Sequence, residues 1–310
     1  MLAPLAGITD LPFRNLVSSF GAGMVVSEMV ASHDMLNARP GSHEKAELGL
    51  GQVGTAVQLA GSEAAPMAEA ARMVQGQGAT VIDINMVCPA KKVVNGYSGS
   101  ALMRTPDHAL TLIDAVVNAV DIPVTLKTRL GWDDAMLNAP EIAVRAEAAG
   151  IKRIVIHGRT RCQFYKGHAD WNAIAQVKQA VNIPVIANGD IVDIATAREA
   201  MKQSGADGIM IGRGAQGRPW LLAQVAHELF GTPAPVIPQG QDFIDMVSSH
   251  YSAMITFYGE TIGLRMARKH LGWYMDTVDT PKELRREILT CKEPDKVLSL
   301  IPAALLETAA

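Results

Sequence analysis

Several signals are missing from this chain of 310 residues, and each absence narrows what it can be. No apolar run approaches the roughly 20 residues that a membrane-spanning helix needs, so no membrane partner is expected. No basic segment leads the chain: Met1 runs straight into Leu2-Ala3-Pro4-Leu5-Ala6-Gly7, which argues against a secretory leader. Cysteine is scarce. Cys88, Cys162 and Cys291 stand far apart and are odd in number, so they supply neither a metal-ligand cluster nor a disulfide framework. A reducing cytoplasm and no resident metal are the expectation. Charge of one sign is also lacking. A formal net charge of −3 excludes bulk electrostatic attraction to nucleic acid but leaves room for a local basic face. No Gly-x-Gly-x-x-Gly follows the first strand-like segment, which disfavours a dinucleotide-binding doubly wound sheet. Short-period repeats and low-complexity segments are absent as well.

What is present is alternation. Eight short segments have strand character: Leu2–Ala6, Met24–Met29, Gly54–Leu59, Val81–Met86, Val124–Arg129, Arg153–His157, Val185–Asn188 and Gly208–Gly212. Most are apolar on successive residues, as parallel strands buried on both faces require. Helical composition fills Glu63–Gly76, Pro106–Val120, Ala139–Ala149, Trp171–Ala180 and Asp193–Ser204. Glycine follows several of these helices, and Thr105-Pro106 is a plausible helix start. Strand–helix alternation repeated eight times predicts a (β/α)8 TIM barrel, an α/β fold, over residues 1–230. Residues 231–241 are rich in Pro and Gly and read as a linker. Beyond it Phe243–Tyr258, Gly263–Thr277, Pro281–Leu289 and Pro294–Leu300 carry helical spacing, which predicts an all-helical bundle domain over 242–310.

A barrel places its chemistry where strands end. The polar strand ends are Gln58, Asn85 with Cys88, Lys127 with Arg129, His157 with Arg159, Asn188 with Asp190, and Gly212 with Arg213. All are expected on one rim. Gly212-Arg213 and Asn188-Gly189-Asp190 end the seventh and eighth strands, the usual phosphate positions; the bland alternative is that these glycines only make turns. Lys127 in a barrel mouth needs an anionic partner, either a cofactor ring or Asp83 on the neighbouring strand. His157 is either a satisfied core histidine or a substrate contact. Arg159 and Arg161 are either solvated loop charges or face an anionic substrate. Cys88, set in Cys-Pro-Ala-Lys-Lys with Lys91 and Lys92 beside it, is either a buried small hydrophobe or a catalytic thiol. No Cys-His-Asn arrangement is apparent, so proton donation outweighs nucleophilic attack.

These residues together resemble the tRNA-dihydrouridine synthases, most closely their bacterial B-type subfamily. The resemblance rests on Ala3-Pro4-Leu5-Ala6-Gly7-Ile8-Thr9-Asp10, Asp83-Ile84-Asn85-Met86-Val87-Cys88-Pro89-Ala90-Lys91-Lys92, Gly99-Ser100-Ala101-Leu102 and Lys127-Thr128-Arg129-Leu130-Gly131-Trp132. It continues through His157-Gly158-Arg159-Thr160-Arg161, Pro184–Ile191, Met210–Trp220 and Arg265-Met266-Ala267-Arg268-Lys269-His270. It implies an FMN barrel that reduces the C5–C6 double bond of a D-loop uridine in tRNA, with NADPH as reductant. By motif position FMN would meet Pro4, Leu5, Ala6, Gln58, Lys127, His157, Asn188, Gly189, Asp190, Gly212 and Arg213. Asn85 and His157 would address the uracil, with Lys91, Lys92, Arg129, Arg159 and Arg161 around the substrate and Cys88 giving C5 its proton. The target base must leave its stack to reach the flavin. The helical region resembles the family's tRNA-binding domain, and Arg265, Arg268 and Lys269 share one helical face at i, i+3 and i+4, where they could contact phosphates. The resemblance implies a cytoplasmic enzyme, and the chain is expected to act as a monomer.

Two features depart from the family pattern. Val87 stands where glycine is usual, and a β-branched residue is strongly disfavoured at positive φ, so a rearranged loop is expected if that conformation is needed. The chain also begins inside its first strand, where the family has a segment covering the barrel's far end, so an uncovered barrel bottom is expected. Two other readings fit a flavin barrel. One is an enzyme for a free pyrimidine, similar to dihydroorotate dehydrogenases, which needs no helical domain after residue 241. The other is a non-catalytic flavin- or RNA-binding regulator.

Overall fold

Val-, Ile- and Thr-rich runs between turns form the strands, because branched side chains pack well on a pleated, buried surface. The computed structural model of the protein describes residues 1–37, 46–47 and 55–306. Gly54, expected to open the third strand, and residues 307–310, expected to end the helical region, lie outside them. The strands are β1 (Val25–Val26), β2 (Val30–Ala31), β3 (Thr55–Ala60), β4 (Val81–Asn85), β5 (Val124–Arg129), β6 (Ile154–His157), β7 (Val185–Asn188) and β8 (Gly208–Met210). They pair in parallel in the order β1-β3-β4-β5-β6-β7-β8, with β2 also on β3. Leu2 closes the cylinder, bridging Val25 on one side and Ile211 on the other. The fold is the expected (β/α)8 barrel followed by helices.

Two strands differ from expectation. The first, expected over Leu2–Ala6, is reduced to the two bridges at Leu2. Pro4 has no N–H to continue the ladder, and the chain turns instead, with Leu5 N–H donating to Thr9 Oγ1 at 2.8 Å and Gly7 at φ +68°. The second, expected over Met24–Met29, splits in two. Val26 pairs with Ala56 but Val30 pairs with Leu59, so one extra residue lies on the first side. This is a bulge. Ser27 Oγ accepts from Gln58 N–H at 3.0 Å in place of a ladder bond, and the bulge sends the Glu28 carboxylate to Gly7 N–H.

The helices around the cylinder are α1 (Leu11–Ser19), α2 (Ser32–Leu36), α3 (Ala64–Gly76), α4 (Lys91–Asn95), α5 (Pro106–Val117), α6 (Ala139–Ala148), α7 (Trp171–Ala180), α8 (Ile194–Ser204) and α9 (Leu221–Phe230). Capping fixes several of the starts: Asp10, Asp170 and Asp193 accept from Phe13, Ala173 and Thr196 backbone N–H groups. Buried faces such as Met67, Ala71 and Val74 of α3 and Ile142 and Ala146 of α6 pack on the strands in one continuous core.

Residues 231–239 are irregular and exposed for most of their length, two residues shorter than the expected linker. Then α10 (Gly240–Tyr258), α11 (Glu260–Met275), α12 (Lys282–Thr290) and α13 (Pro294–Leu305) pack around Phe243, Val247, Tyr251, Leu271, Tyr274 and Ile301. Aromatic edges join this cluster to the barrel. Trp220 meets Phe20 and Phe243 at 5.9 and 6.0 Å between centroids, and Phe13 of α1 meets His270 at 4.8 Å. Burial pushes His270 down to about 3, so it remains neutral among these rings. Among the described residues no helix is long and apolar enough to cross a membrane.

Candidate active site

Register decides which side chains meet at the strand ends. Asp83 of β4 lies opposite Gln58 of β3 and Thr125 of β5, while Asn85 lies opposite Lys127. His157 of β6 lies between Arg129 and Asn188. Residues two apart on a strand share a face, so all of these polar groups turn to one side. They form a connected set. Asn85 Nδ2 donates to Gln58 Oε1 at 2.7 Å, Gln58 Nε2 donates to Asp83 Oδ2 at 2.6 Å, and Thr125 Oγ1 donates to Asp83 Oδ1 at 2.6 Å. Gln58 and Asn85 are thereby fixed in one amide orientation each. Burial pushes the Asp83 carboxyl up.

Asp83, the alternative partner for Lys127, is engaged by Gln58 and Thr125. Lys127 Nζ donates to Asn188 Oδ1 at 2.9 Å, and Asn188 Nδ2 donates onward to the Met210 carbonyl at 2.8 Å. Burial pushes Lys127 down to about 7, against the pull of Asp83. A buried ammonium beside a neutral amide is a costly arrangement that an anionic group would relieve.

These groups border a cavity of about 510 Å³. Pro4, Leu5 and Ala6 form one wall, and Gln58, Asn85, Lys127 and Asn188 lie along it. Cys88, Arg129, His157, Gly189, Asp190, Gly212 and Arg213 complete it from the expected set.

The Cys88 loop is held by backbone contacts. Asn85 Oδ1 accepts from Val87 and Cys88 N–H at 3.3 and 3.2 Å, and the Cys88 carbonyl accepts from Ser100 N–H and Oγ at 3.1 and 2.9 Å. Gly99, at φ +59°, passes so close that a Cβ there would lie 2.8 Å from the Cys88 carbonyl. Among the described non-glycine residues only Tyr97, Phe164 and Asp190 have positive φ, so Val87 sits in backbone that a β-branched residue adopts without strain. Arg129, expected at the substrate, borders the cavity and also ties two loops together. Its Nε donates to the Val87 carbonyl at 2.8 Å and its Nη1 to the Thr160 and Phe164 carbonyls at 2.9 and 3.0 Å, tying the Cys88 loop to the loop after β6. Burial lowers it to about 10.

Across the cavity, Asp190 bridges two arginines, Arg159 at 2.6 Å and Arg213 at 3.3 Å. Burial raises the Asp190 carboxyl, but the Arg159 and Ala169 hydrogen bonds and both guanidinium charges outweigh it and leave it below the usual carboxylate range. Arg159 is buried rather than solvated. Arg213 is more than half exposed at the mouth, beside its ion pair with Asp190. Burial and the charges of Lys127, Arg129, Arg159 and Arg213 push His157 well below its ordinary value, so it is a neutral imidazole.

The remaining candidates lie elsewhere. Lys91 and Lys92 are exposed at the start of α4. Arg161 stacks on Trp132 and Phe164, at 4.7 and 4.8 Å, and Arg104 covers Trp132 from 4.1 Å. On α11 Arg265 is exposed, Arg268 Nη2 donates to the Cys291 carbonyl at 3.0 Å, and Lys269 Nζ donates to the Gly7 carbonyl at 3.3 Å. The one helical face expected for these three is thus divided between solvent and packing. Sequence reasoning missed the clamp by Gly99 and Ser100, and Tyr165, which borders the cavity with its ring 5.8 and 5.9 Å from the Arg129 and Arg213 guanidinium carbons. Among the described residues no group of three or more His, Cys, Asp and Glu could hold a metal ion.

Several known proteins are similar to this chain. The chain is 62% identical over 311 residues to a probable tRNA-dihydrouridine synthase of Rhodobacter capsulatus, covering 100% of this chain and 95% of the relative. It is 47% identical to tRNA-dihydrouridine synthase B of Pseudomonas putida, covering 92% and 85%. Among solved structures, histamine dehydrogenase from Rhizobium sp. 4-9 superposes with a TM-score of 0.55 at 12% identity over 81% of this chain and 48% of that one, a likeness of fold alone. The family described as Dihydrouridine synthase (Dus) matches residues 1–310 from end to end, and the chain belongs to it.

Proposed function

We propose that this chain is a tRNA-dihydrouridine synthase that reduces the C5–C6 double bond of a D-loop uridine with FMN, itself reduced by NADPH, and takes the proton from Cys88. The observation that carries the reading is Lys127, a buried amine whose hydrogen bond among the described residues goes to the Asn188 amide, in the wall of a cavity it shares with Cys88, Asn85 and His157. The cavity's volume lies in the range of cofactor sites. Its wall fits FMN. Gln58, Lys127 and Asn188 offer donors to a polar ring edge, and Arg213 offers an exposed guanidinium to a phosphate. At Gly212 a Cβ would make only ordinary contacts, 3.5 Å to Ala3 and 3.6 Å to Leu5, so the protein's own packing does not require the glycine. A phosphate drawn close to backbone N–H groups would.

When bound, reduced FMN supplies the hydride for C6. The protein's part is to place the base and deliver the proton. Asn85 and His157 address the uracil, and donors at a uracil carbonyl stabilise the charge that develops there. Cys88, clamped through its backbone, gives its thiol proton to C5. The residues on the α10–α13 helices form a separate tRNA-binding domain in this reading, with Arg265, Lys91, Lys92 and Arg161 meeting phosphates around the mouth. The same reading has the enzyme act as a monomer in the cytoplasm. The deciding experiment maps dihydrouridine in tRNA from a deletion strain with and without this gene. An unchanged dihydrouridine content would overturn the assignment.

Two predictions arise here. Arg265→Ala should weaken tRNA binding roughly equally for all tRNAs and reduce the slope of log K against log salt by about one phosphate contact. An unchanged slope would mean that Arg265 faces only solvent. Arg265 is the clean choice, because Arg268 and Lys269 also hold backbone carbonyls. The second concerns protons. With Lys127 near 7, an anionic ring edge against Nζ raises its affinity for a proton. The lysine is already charged below about pH 7, so flavin affinity is flat there. Above that it falls as pH rises toward the raised value. Anaerobic calorimetry of reduced FMN, whose ring is anionic at this pH, binding to apoprotein at about pH 8 in buffers of different ionisation enthalpy should show uptake approaching one proton. Binding without uptake would place the anion elsewhere.

A further inference from the structure

Arg159 is buried, and its hydrogen bonds are all to the protein. Nε donates to the Lys166 carbonyl at 3.0 Å, and Nη2 donates to the Gly167 carbonyl at 2.8 Å and to Asp190 Oδ2 at 2.6 Å. Nη1 faces His157 Nε2 at 3.4 Å. A guanidinium carries donors and no acceptor, so at this contact Nε2 must accept. A neutral imidazole that accepts through Nε2 carries its proton on Nδ1.

Packing fixes the ring in the same sense. A Cβ on Gly189 would lie 2.8 Å from His157 Cδ2 and 3.1 Å from Nε2, so the Cδ2–Nε2 edge is pressed against the Gly189 backbone. The opposite edge, Nδ1–Cε1, is turned away from it. Among the described residues Nδ1 has no hydrogen-bond partner and is not a sealed orphan, and His157 borders the cavity.

We infer that Arg159 is a positioning residue that fixes His157 as the Nδ1–H tautomer, so that the imidazole offers the cavity a single N–H donor and no acceptor. Asp190 holds the guanidinium in place by a short ion pair from the far side. The imidazolium form, which would donate from both nitrogens, is opposed by burial and by four neighbouring cations. The consequence for specificity rests on the proposed function. An N–H at this point suits a ring carbonyl, which uracil presents at C2 and C4. It would meet the exocyclic amine of cytosine donor against donor, an unpaired contact of the kind that discriminates strongly.

The test is nitrogen NMR on full-length protein labelled with ¹⁵N-histidine, with the His157 signals assigned by their loss in His157→Gln. Between about pH 6 and 8 the wild-type spectrum should show Nδ1 bearing the proton and Nε2 bare. In Arg159→Met, which keeps the side chain's bulk and removes its donors, the Nε2–H form should appear, while Arg159→Lys should restore part of the wild-type pattern. A wild-type His157 protonated at Nε2 would overturn the inference, whether or not the methionine variant folds. So would a folded Arg159→Met with the wild-type tautomer. These spectra are read without tRNA or turnover, so a wrong substrate assignment would leave them unchanged.

Discussion

Cys88→Ala is expected to lower dihydrouridine formation by about 10²–10⁴-fold, the range that a positioned general acid contributes. Flavin content and the rate of flavin reduction by NADPH should remain those of the wild type. The separation follows from how the loop is held. Asn85 Oδ1 binds the Val87 and Cys88 N–H groups, Ser100 binds the Cys88 carbonyl, and Arg129 binds the Val87 carbonyl. None of these contacts uses sulfur, so alanine leaves the loop in place and removes only the S–H. Mass spectrometry of digested tRNA gives the product, and anaerobic stopped-flow absorbance gives the flavin step. Wild-type turnover in the variant would remove Cys88 from the proton transfer. Loss of flavin instead would mean that the thiol supports the cofactor pocket.

Apolar runs a few residues long made the strands legible in the sequence, since buried parallel strands leave a continuous signal. The strand-end rule then put Gln58, Asn85, Lys127, His157 and Asn188 on one rim, and register does the same in the structure. Local chemistry that breaks a ladder was harder to see. Pro4 cut the first strand to the two bridges at Leu2, and the extra residue after Val26 split the second. Long-range contacts from side chain to backbone left no sequence signal at all. Arg129 was legible from its type and position as a residue of the cavity wall, but not that its guanidinium also binds carbonyls 31 and 35 residues away. Ser100 reaches Cys88 across 12 residues, and no spacing rule connects them. Charge told little about exposure: Arg159 and Arg161 are two residues apart, one buried in an ion pair and one stacked on Trp132.

Gly131→Ala should be among the most destabilising single-methyl changes in the barrel. Its φ is not positive, so the argument is one of space. A Cβ at Gly131 would collide with the Met136 carbonyl oxygen and lie 2.8 Å from Leu137 Cα, backbone atoms that cannot swing aside as a side-chain tip can. The surrounding turn is also fixed at both ends. Trp132 N–H donates to the Met136 carbonyl at 3.1 Å, and Arg161 N–H donates to the Gly131 carbonyl at 3.0 Å. Moving either strand of this crossing drags the loop that carries Arg159 and the Thr160 carbonyl on which Arg129 rests. Overpacking of this kind costs about 3 kcal/mol at the upper end of its usual range, or a fall in Tm of about 5 °C for a chain of this size. Gly212→Ala is the control, because its added Cβ meets nothing closer than 3.5 Å and should leave Tm nearly unchanged. Thermal unfolding followed by circular dichroism on both flavin-free variants compares them. Equal melting temperatures would show that the Met136–Leu137 turn yields freely, and would leave Arg129 and Arg159 to hold the two loops without it.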